Sequence, residues 1–203
     1  MNIRFVGDSA LLLEVENSCA AQQCREALYR QSLSGILELV PGLDTLLVEF
    51  DPLRLDAAKF ARRLPKLMQN LPLPAEAREH IIEVRYQGED LEDVARMTDL
   101  DVAEVVRCHA AATYTVTFLG FAPGFPYLAE LDPKLRVPRL KSPRTRVPAG
   151  AVAIADEFSG IYPRATPGGW RVLGHTGALL FDAARAAPAL LMPGDKVHFR
   201  VVP

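Results

Sequence analysis

The second half of the chain limits the choice of fold most strongly, because its helical signals stop at about residue 114. Beyond Tyr114, glycines and prolines separate short apolar runs, a pattern typical of short strands joined by tight turns. Such strands leave unpaired edges unless the sheet closes on itself, so we expect a β-barrel. The runs that we expect to form strands are 114–119, 151–155, 171–173, 178–181 and 196–202.

The first part of the chain carries a different pattern and predicts a small α+β unit. Apolar residues alternate in short runs, as in half-buried strands, and two segments have helix-forming composition. The order of these elements is βαββα, which resembles a split-βαβ sandwich. We expect a strand at 11–15, a helix over 20–33, strands over 36–40 and 45–50 around a Pro41-Gly42 turn, and a helix after the cap Asp56 that Pro65 kinks or ends.

The segment LPLPAEAR, residues 71–78, has two prolines and little apolar periodicity, which is typical of a linker. We therefore expect two domains, residues 1–78 and 79–203, and an α+β fold overall. After the linker we expect a strand over 80–86, an acidic helix over 89–97 and a second helix that begins at the cap Asp101.

The helix that Asp101 begins places His109 on its apolar face, together with Val102, Val105 and Val106. A histidine in that position has two interpretations. It is either a hydrogen-bonded core residue or a proton carrier in a catalytic site, and the core interpretation is the more common one. Both interpretations stay open at the level of the sequence.

Residues 118–128 read FLGFAPGFPYL and surround a Pro123-Gly124 pair with aromatic side chains. Proline fixes φ at the first central position of a tight turn and glycine accepts positive φ at the second, so a turn is expected here. Phe121 and Phe125 then either form the wall of a pocket or pack inside a barrel. The segment 160–177, which holds Thr166 and the only tryptophan, Trp170, is likewise either a pocket rim or a set of barrel corners.

Between Pro133 and Ala155 the chain has six basic residues and no acidic one, which is a composition suited to binding anions. Prolines at every fifth position hold the segment extended and so limit the entropy lost when guanidinium groups engage phosphate or carboxylate. The alternative is a solvated basic loop. The basic residues are Lys134, Arg136, Arg139, Lys141, Arg144 and Arg146.

Charge and motif content exclude several classes of function. The 25 acidic and 23 basic residues give a net charge of −2, so we expect no nucleic-acid or membrane partner. The N-terminal residues form neither a signal peptide nor a membrane span, and three cysteines without CxxC spacing are expected to be free thiols, so we expect a cytoplasmic protein. The sequence contains no phosphate-loop, dinucleotide or GxSxG motif, and its four histidines lack metal-ligand spacing, so no protein-bound metal is expected.

Five stretches form a distinctive set: FLGFAPGFPYL, VPRLKSPRTRVPAGAVAIA, GIYPRATPGGWRVLGHT, LFD and LLMPGDKVHF. In this order and approximate spacing they resemble the family that contains the B-type subunit of 5-oxoprolinase, the sporulation kinase inhibitor KipI and allophanate hydrolase subunit 1. They cover most of residues 109–200. The resemblance implies a cyclophilin-like β-barrel after a small α+β N-terminal domain, in agreement with the division above.

The resemblance also implies a function, namely one subunit of an ATP-dependent 5-oxoprolinase that opens 5-oxoproline to L-glutamate. Direct contact with a protein like the C-type subunit of that enzyme, a further partner like its A-type subunit, and ATP with Mg²⁺ as co-substrate of the complex are expected with it. Positive groups that clamp a transferring phosphoryl group and the substrate carboxylate are what this step needs. The candidate residues are Arg139, Arg144 and Arg146 for the clamp, Phe121, Phe125, Thr166 and Trp170 for the substrate, and His109 as proton carrier.

Two other functions stay open, because a fold does not fix a function. A KipI-like protein binds and inhibits a sensor histidine kinase and needs only an interaction face. A component of a urea carboxylase or allophanate hydrolase-type carboxyltransferase moves a carboxyl group from biotin to an amide instead.

Overall fold

The computed structural model describes residues 2–72 and 76–203, and the chain divides into two compact units after Glu76. Residues 73–75, in the middle of the predicted linker, lie outside the described residues. The predicted boundary after residue 78 lies close to this division. That each unit is an independent domain stays a prediction.

The first unit is a four-stranded antiparallel sheet with two helices. Its strand order is β1-β2-β4-β3, so β4 lies between β2 and β3 and is antiparallel to both. The connection from β2 through α1 to β3 is therefore a split-βαβ unit, as predicted. The elements are β1 (Asn2–Val6), β2 (Ala10–Glu14), α1 (Ser18–Arg30), β3 (Ile36–Pro41), β4 (Thr45–Phe50) and α2 (Ala57–Leu67).

Strand β1 is missing from the sequence-based order βαββα, which the structure extends to ββαββα. Four of the five β1 residues are exposed, so the alternation that reveals a half-buried strand is absent there. The predicted cap Asp56 is confirmed, since its carboxylate accepts a hydrogen bond from the Lys59 amide at 2.9 Å. Pro65 lies in the last turn of α2, and the helix ends at Leu67.

The second unit is built on a seven-stranded sheet of order β12-β9-β10-β7-β6-β13-β5. The two outer strands meet where Arg85, just after β5, exchanges two backbone hydrogen bonds of 2.9 Å with His175. This contact closes the sheet into a barrel and confirms the predicted β-barrel in an α+β protein. The elements are β5 (Glu79–Val84), α3 (Leu91–Thr98), α4 (Val102–Ala111), β6 (Thr113–Leu119), β7 (Pro126–Ala129), β8 (Arg144–Val147), β9 (Ala151–Ala155), β10 (Phe158–Ile161), β11 (Thr166–Gly168), β12 (Arg171–His175) and β13 (Lys196–Val201), with a 3₁₀ turn at Pro133–Leu135.

Strand β9 is buried on both faces and separates two apolar clusters. Its valine and isoleucine side chains belong to the larger cluster, which includes residues from helices α3 and α4. Its three alanines, at positions 151, 153 and 155, belong to a smaller cluster that is rich in aromatic residues. A separate two-stranded antiparallel ribbon, formed by β8 and β11, adds Val147 to this second cluster.

The prediction of a strand over 178–181 was wrong, because residues 178–181 form no strand and only Phe181 makes an isolated bridge, to Ala189. Four strands of the second unit were not predicted. β7, β8, β10 and β11 have three or four residues each, which is too short for periodicity to reveal them. Among the described residues, no helix is both long and apolar enough to cross a lipid bilayer.

Candidate functional site

The aromatic stretch 118–128 forms the end of β6, a turn and the start of β7. The Phe125 amide donates to the Ala122 carbonyl at 2.9 Å, and Gly124 has φ of +77°, which confirms the predicted Pro-Gly turn. Phe121 precedes this turn with φ of +63°, a conformation that costs energy for a residue with a side chain. The residue is 60% exposed. The structure thus holds a large apolar ring at the surface in a strained backbone.

Phe121 stands at the edge of a continuous aromatic cluster. Its ring makes edge contacts with Phe125 at 5.3 Å and with Tyr162 at 6.1 Å between centroids. Phe125 is buried and contacts Trp170 at 5.3 Å. Both interpretations of the sequence are therefore represented, since Phe125 and Trp170 pack in the interior while Phe121 faces solvent.

Arg139 lies over this cluster. Its guanidinium carbon is 5.9 Å from the centre of the Trp170 ring, which is within the range of a cation–π contact. Its side chain is more than half exposed, and its Nε lies 3.5 Å from Asp156. Because this ion pair is long and solvated, Arg139 keeps most of its donors available.

Arg144 and Arg146 lie on strand β8 in different environments. Arg146 is exposed. Arg144 is largely covered, and two carboxylates hold it, with Nε 3.0 Å from Glu89 and Nη2 2.6 Å from Asp90. Hydrogen bonding to Asp90 raises the pKa of Arg144 further, so the charge is permanent. Thr166, on the partner strand β11, pairs with Val147 and is half-buried.

Tyr162 is a member of this region that the sequence did not single out. It is buried, and the backbone of Gly168 approaches it so closely that a Cβ there would lie 2.3 Å from the hydroxyl oxygen. Burial raises the pKa of Tyr162, against the opposing effects of the Trp170 amide and the charges of Arg139 and Arg144. A tyrosine inside the glycine-rich segment 160–177 was the available signal.

His109 lies in the other cluster of the second unit, apart from the arginines. It is fully buried and stacks on Phe199 with 4.7 Å between ring centroids. Its Nδ1 is 2.7 Å from the Tyr86 hydroxyl and its Nε2 is 2.8 Å from the Ser159 hydroxyl. Burial lowers the pKa of His109 to about 3, so the ring is neutral at physiological pH. This geometry favours the core interpretation, and the proton-carrier role stays a prediction.

The structure therefore brings Phe121, Phe125, Trp170 and Arg139 into one cluster, and it places Arg144, Arg146 and Thr166 on the adjoining β8–β11 ribbon. Two surface grooves lie elsewhere, one of about 560 Å³ beside α3 and α4 and one of about 380 Å³ beside α1 and β3. Neither contains a predicted site residue. We therefore prefer the cluster as the candidate site, because it combines aromatic and basic side chains, whereas the grooves have only their size in their favour. Within residues 2–72 and 76–203, no three His, Cys, Asp or Glu side chains converge as metal ligands.

Two curated relatives match the chain over nearly its full length. The chain is 40% identical over 205 residues to the B-type subunit of 5-oxoprolinase from Escherichia coli O157:H7, a match that covers 96% of this chain and 93% of the relative. It is 39% identical to the B-type subunit of 5-oxoprolinase from Haemophilus influenzae, with 99% and 98% coverage.

Solved structures share the fold. The crystal structure of TTHA0988 superposes with a TM-score of 0.85 at 40% identity, covering all of this chain but only 40% of that one. Kluyveromyces lactis urea carboxylase gives a TM-score of 0.79 at 22% identity, covering 99% of this chain and 22% of that one, and so shows a shared fold alone.

The family model described as "Carboxyltransferase domain, subdomain C and D" matches residues 1–191. That match spans both units, and it agrees with the motif set at 118–128, 137–155 and 160–176 and with the barrel those motifs build. The chain therefore belongs to the carboxyltransferase subdomain C and D family, the family of KipI and the B-type subunit of 5-oxoprolinase.

Proposed function

We propose that this chain is one of the subunits of an ATP-dependent 5-oxoprolinase that converts 5-oxoproline into L-glutamate. The observation that carries the proposal is the 40% identity to a B-type 5-oxoprolinase subunit over 96% of this chain. The match extends through both units, so it does not rest on a widespread barrel alone. Fold similarity by itself would leave the function open.

The chemistry of the proposed reaction suits the basic and aromatic surface. A lactam amide is stabilised by resonance, and phosphorylation of its oxygen by ATP makes the ring carbon more electrophilic. Water then adds to that carbon, the C–N bond breaks with the nitrogen leaving as the amine, and a second water hydrolyses the resulting acyl phosphate to the carboxylate of glutamate and phosphate. The developing negative charge and the substrate carboxylate need fixed cations. Arg139 and Arg146 have exposed guanidinium groups for this clamp, while Arg144, the third candidate, lies on the same strand as Arg146 and is held by two carboxylates.

The aromatic residues supply the apolar wall beside these cations. Phe121 offers an exposed ring next to the buried rings of Phe125 and Trp170, against which the methylene face of a five-membered lactam can pack. Thr166, on strand β11 of the neighbouring β8–β11 ribbon, offers a hydroxyl to a polar substrate atom. His109 is fully buried, so any contribution it makes to proton transfer passes through Tyr86 or Ser159.

ATP enters this proposal as a co-substrate of the assembled complex. The sequence has no phosphate-binding loop, and we place Mg²⁺ on the nucleotide phosphates, where it would neutralise charge during transfer. A second chain must then complete the site. In TTHA0988 the region similar to this chain makes up 40% of a longer polypeptide, which supports association with further protein, here a C-type partner in direct contact and an A-type partner.

The alternatives have weaker support, although the name of the family model and the fold of urea carboxylase both fit a carboxyltransferase component. The similarity to urea carboxylase at 22% identity reflects the fold alone, and both curated relatives described above are named as 5-oxoprolinase subunits of the B type. A kinase inhibitor of the KipI type would act by binding, so the two functions separate in a direct assay.

The test is reconstitution of the complex from this chain and the A-type and C-type partner proteins of the same organism. We expect ADP release and glutamate formation that require 5-oxoproline and all three chains, with no turnover by this chain alone. Complexes that lack one chain at a time are the controls. Robust turnover by the isolated chain would reject the proposal of a multi-subunit enzyme. An inactive complete complex, together with stoichiometric inhibition of a co-occurring histidine kinase, would favour the inhibitor.

A further inference from the structure

Helix α3 begins at an aspartate that does not cap it. Asp90 occupies the N-cap position, yet its side chain makes no hydrogen bond to the first turn of the helix. The equivalent residues of the other helices, Asn17, Asp56 and Asp101, each accept a backbone N–H three residues on. Because aspartate is among the best N-cap residues, the Asp90 carboxylate gives up a favourable local bond. A residue that breaks a local rule in this way has another task in the fold.

The Asp90 carboxylate instead bonds to the barrel and to the β8–β11 ribbon. Its Oδ2 accepts the Val172 amide of strand β12 at 2.7 Å, and its own amide donates to the Val172 carbonyl at 3.1 Å. Its Oδ1 accepts Nη2 of Arg144 at 2.6 Å. The side chain is 3% exposed. Both carboxylate oxygens are thus fixed, one by barrel strand β12 and the other by strand β8 of the ribbon.

Arg144 is more than neutralised by its neighbours. Asp90 and Glu89 bring two negative charges to one guanidinium, so the group has little residual attraction for a third anion. Its Nη1 is buried and has no partner among the described residues. A buried donor without a partner carries a desolvation cost, so stability alone does not account for this arrangement.

The β8–β11 ribbon that Arg144 anchors lies next in the chain to the exposed Arg139. Arg144 pairs with Gly168 across the ribbon, and the carbonyl of the next residue along the chain, Gly169, accepts the Leu140 amide at 2.7 Å. These contacts hold the segment that leads from Arg139 into strand β8. Fixing Arg144 therefore also limits the motion of Arg139 relative to Trp170.

We propose that Asp90 is a positioning residue, which holds Arg144 and, through it, the β8–β11 ribbon, so that Arg139 keeps its place over Trp170 and faces substrate beside the aromatic cluster. The inference rests on the proposed function for its catalytic consequence, while its geometric content stands independently. Asp90 touches no reacting atom. It acts by limiting the motion of the cations that do, since a small displacement of a positioned charge costs catalysis heavily.

The test compares Asp90→Asn with Asp101→Asn in the reconstituted complex. Both variants replace an N-cap aspartate by an equally good N-cap residue, but only Asp90→Asn presents an amide NH₂ or a neutral oxygen to Arg144. Amide hydrogen exchange of residues 139–147 and 166–170 measures the local stability of the β8–β11 ribbon and the segment before it. The values of kcat and KM for 5-oxoproline measure the function of the site. All measurements use intact complexes well below their melting temperatures.

For Asp90→Asn we expect amide exchange in the β8–β11 ribbon to accelerate at least ten-fold, while amide exchange in α4 stays unchanged. We expect kcat/KM to fall at least ten-fold. Asp101→Asn should match the wild type in both. In the double variant Asp90→Asn/Arg144→Gln, the loss should equal that of Arg144→Gln alone, because both changes break the same contact. If amide exchange in the ribbon of Asp90→Asn equals that of the wild type, the proposal is overturned. Faster exchange with full turnover overturns its catalytic part, whereas an inactive wild-type complex rejects the proposed function and leaves the exchange data to decide the positioning.

Discussion

Asp195, just before strand β13, accepts hydrogen bonds from both ends of the second unit, and its replacement by asparagine is the sharpest stability test in the chain. The carboxylate accepts the Met192 amide at 2.9 Å, His80 Nε2 at 3.0 Å and three longer bonds from Arg78. It is 4% exposed. Asparagine keeps the shape but loses the charge and turns an NH₂ group toward donors.

The expected cost follows from the contacts that lose charge assistance. A hydrogen bond to a charged group contributes about 1.5–3 kcal/mol and a neutral one about 0.5–1.5 kcal/mol, so two good bonds lose together roughly 2–3 kcal/mol. Arg78 adds little because its side chain is 60% exposed. For a unit of roughly 130 residues, this free energy lowers the melting temperature by about 10 °C.

The matched control is Glu83→Gln, which breaks an exposed ion pair with Arg200 between the same two strands, β5 and β13. We expect that variant to lose less than about 0.5 kcal/mol. Thermal and urea unfolding measure both variants under identical conditions. A loss for Asp195→Asn no larger than that of the control would refute the reasoning from burial and charge.

The pH dependence adds an independent check on Asp195. Burial alone raises the pKa of this carboxyl, but hydrogen bonds from the Met192 amide, His80 and Arg78 outweigh burial and lower it. A depressed pKa contributes stability that is present above the unfolded value of about 3.9 and is lost as the pH falls through the folded value. The difference between wild type and Asp195→Asn should therefore stay constant near neutral pH and shrink below about pH 4.

Two further substitutions test the candidate site. Arg139→Ala should lower turnover of the complex by about 30- to 1000-fold with a change in unfolding free energy below about 0.5 kcal/mol, and Arg139→Lys should rescue only partly, because an ammonium lacks the planar fork; wild-type turnover in Arg139→Ala would remove this residue from the clamp. His109, with a pKa near 3 in the folded state, makes unfolding easier as the pH falls below about 6.5, so His109→Gln should flatten the slope of unfolding free energy between pH 6 and pH 5 by about 1 kcal/mol per pH unit, and an unchanged slope in urea titrations would contradict the neutral core histidine.

The sequence predicted those elements whose signals are local. Alternation located β2 and β4, and the caps Asp56 and Asp101 located the starts of α2 and α4. Strands β8 and β11 were not predicted, because a segment of three or four residues forms a strand only by pairing with a partner that lies far along the chain.

The charge environment of the basic segment could not be predicted, because it depends on contacts that are remote in sequence. Residues 133–155 contain no acid, which suggested unpaired cations. The acids that hold Arg144 are Glu89 and Asp90, brought close by the closure of the barrel. Likewise, helical periodicity predicted an apolar face for His109, whereas its partners Tyr86 and Ser159 come from other parts of the fold.

The pairing of strand β13 has a consequence for the order in which the barrel is made. β13 lies between β5 and β6 and runs parallel to β5, with Lys196 opposite Glu79 and Val201 opposite Val84. The strand that joins them is thus the last of the second unit to leave the ribosome, and contacts between residues so distant in sequence are slow to form. Until then, β5 and β6 expose unpaired edges. Nascent chains stalled before residue 196 should therefore be the form of this protein most prone to aggregate and most dependent on chaperones.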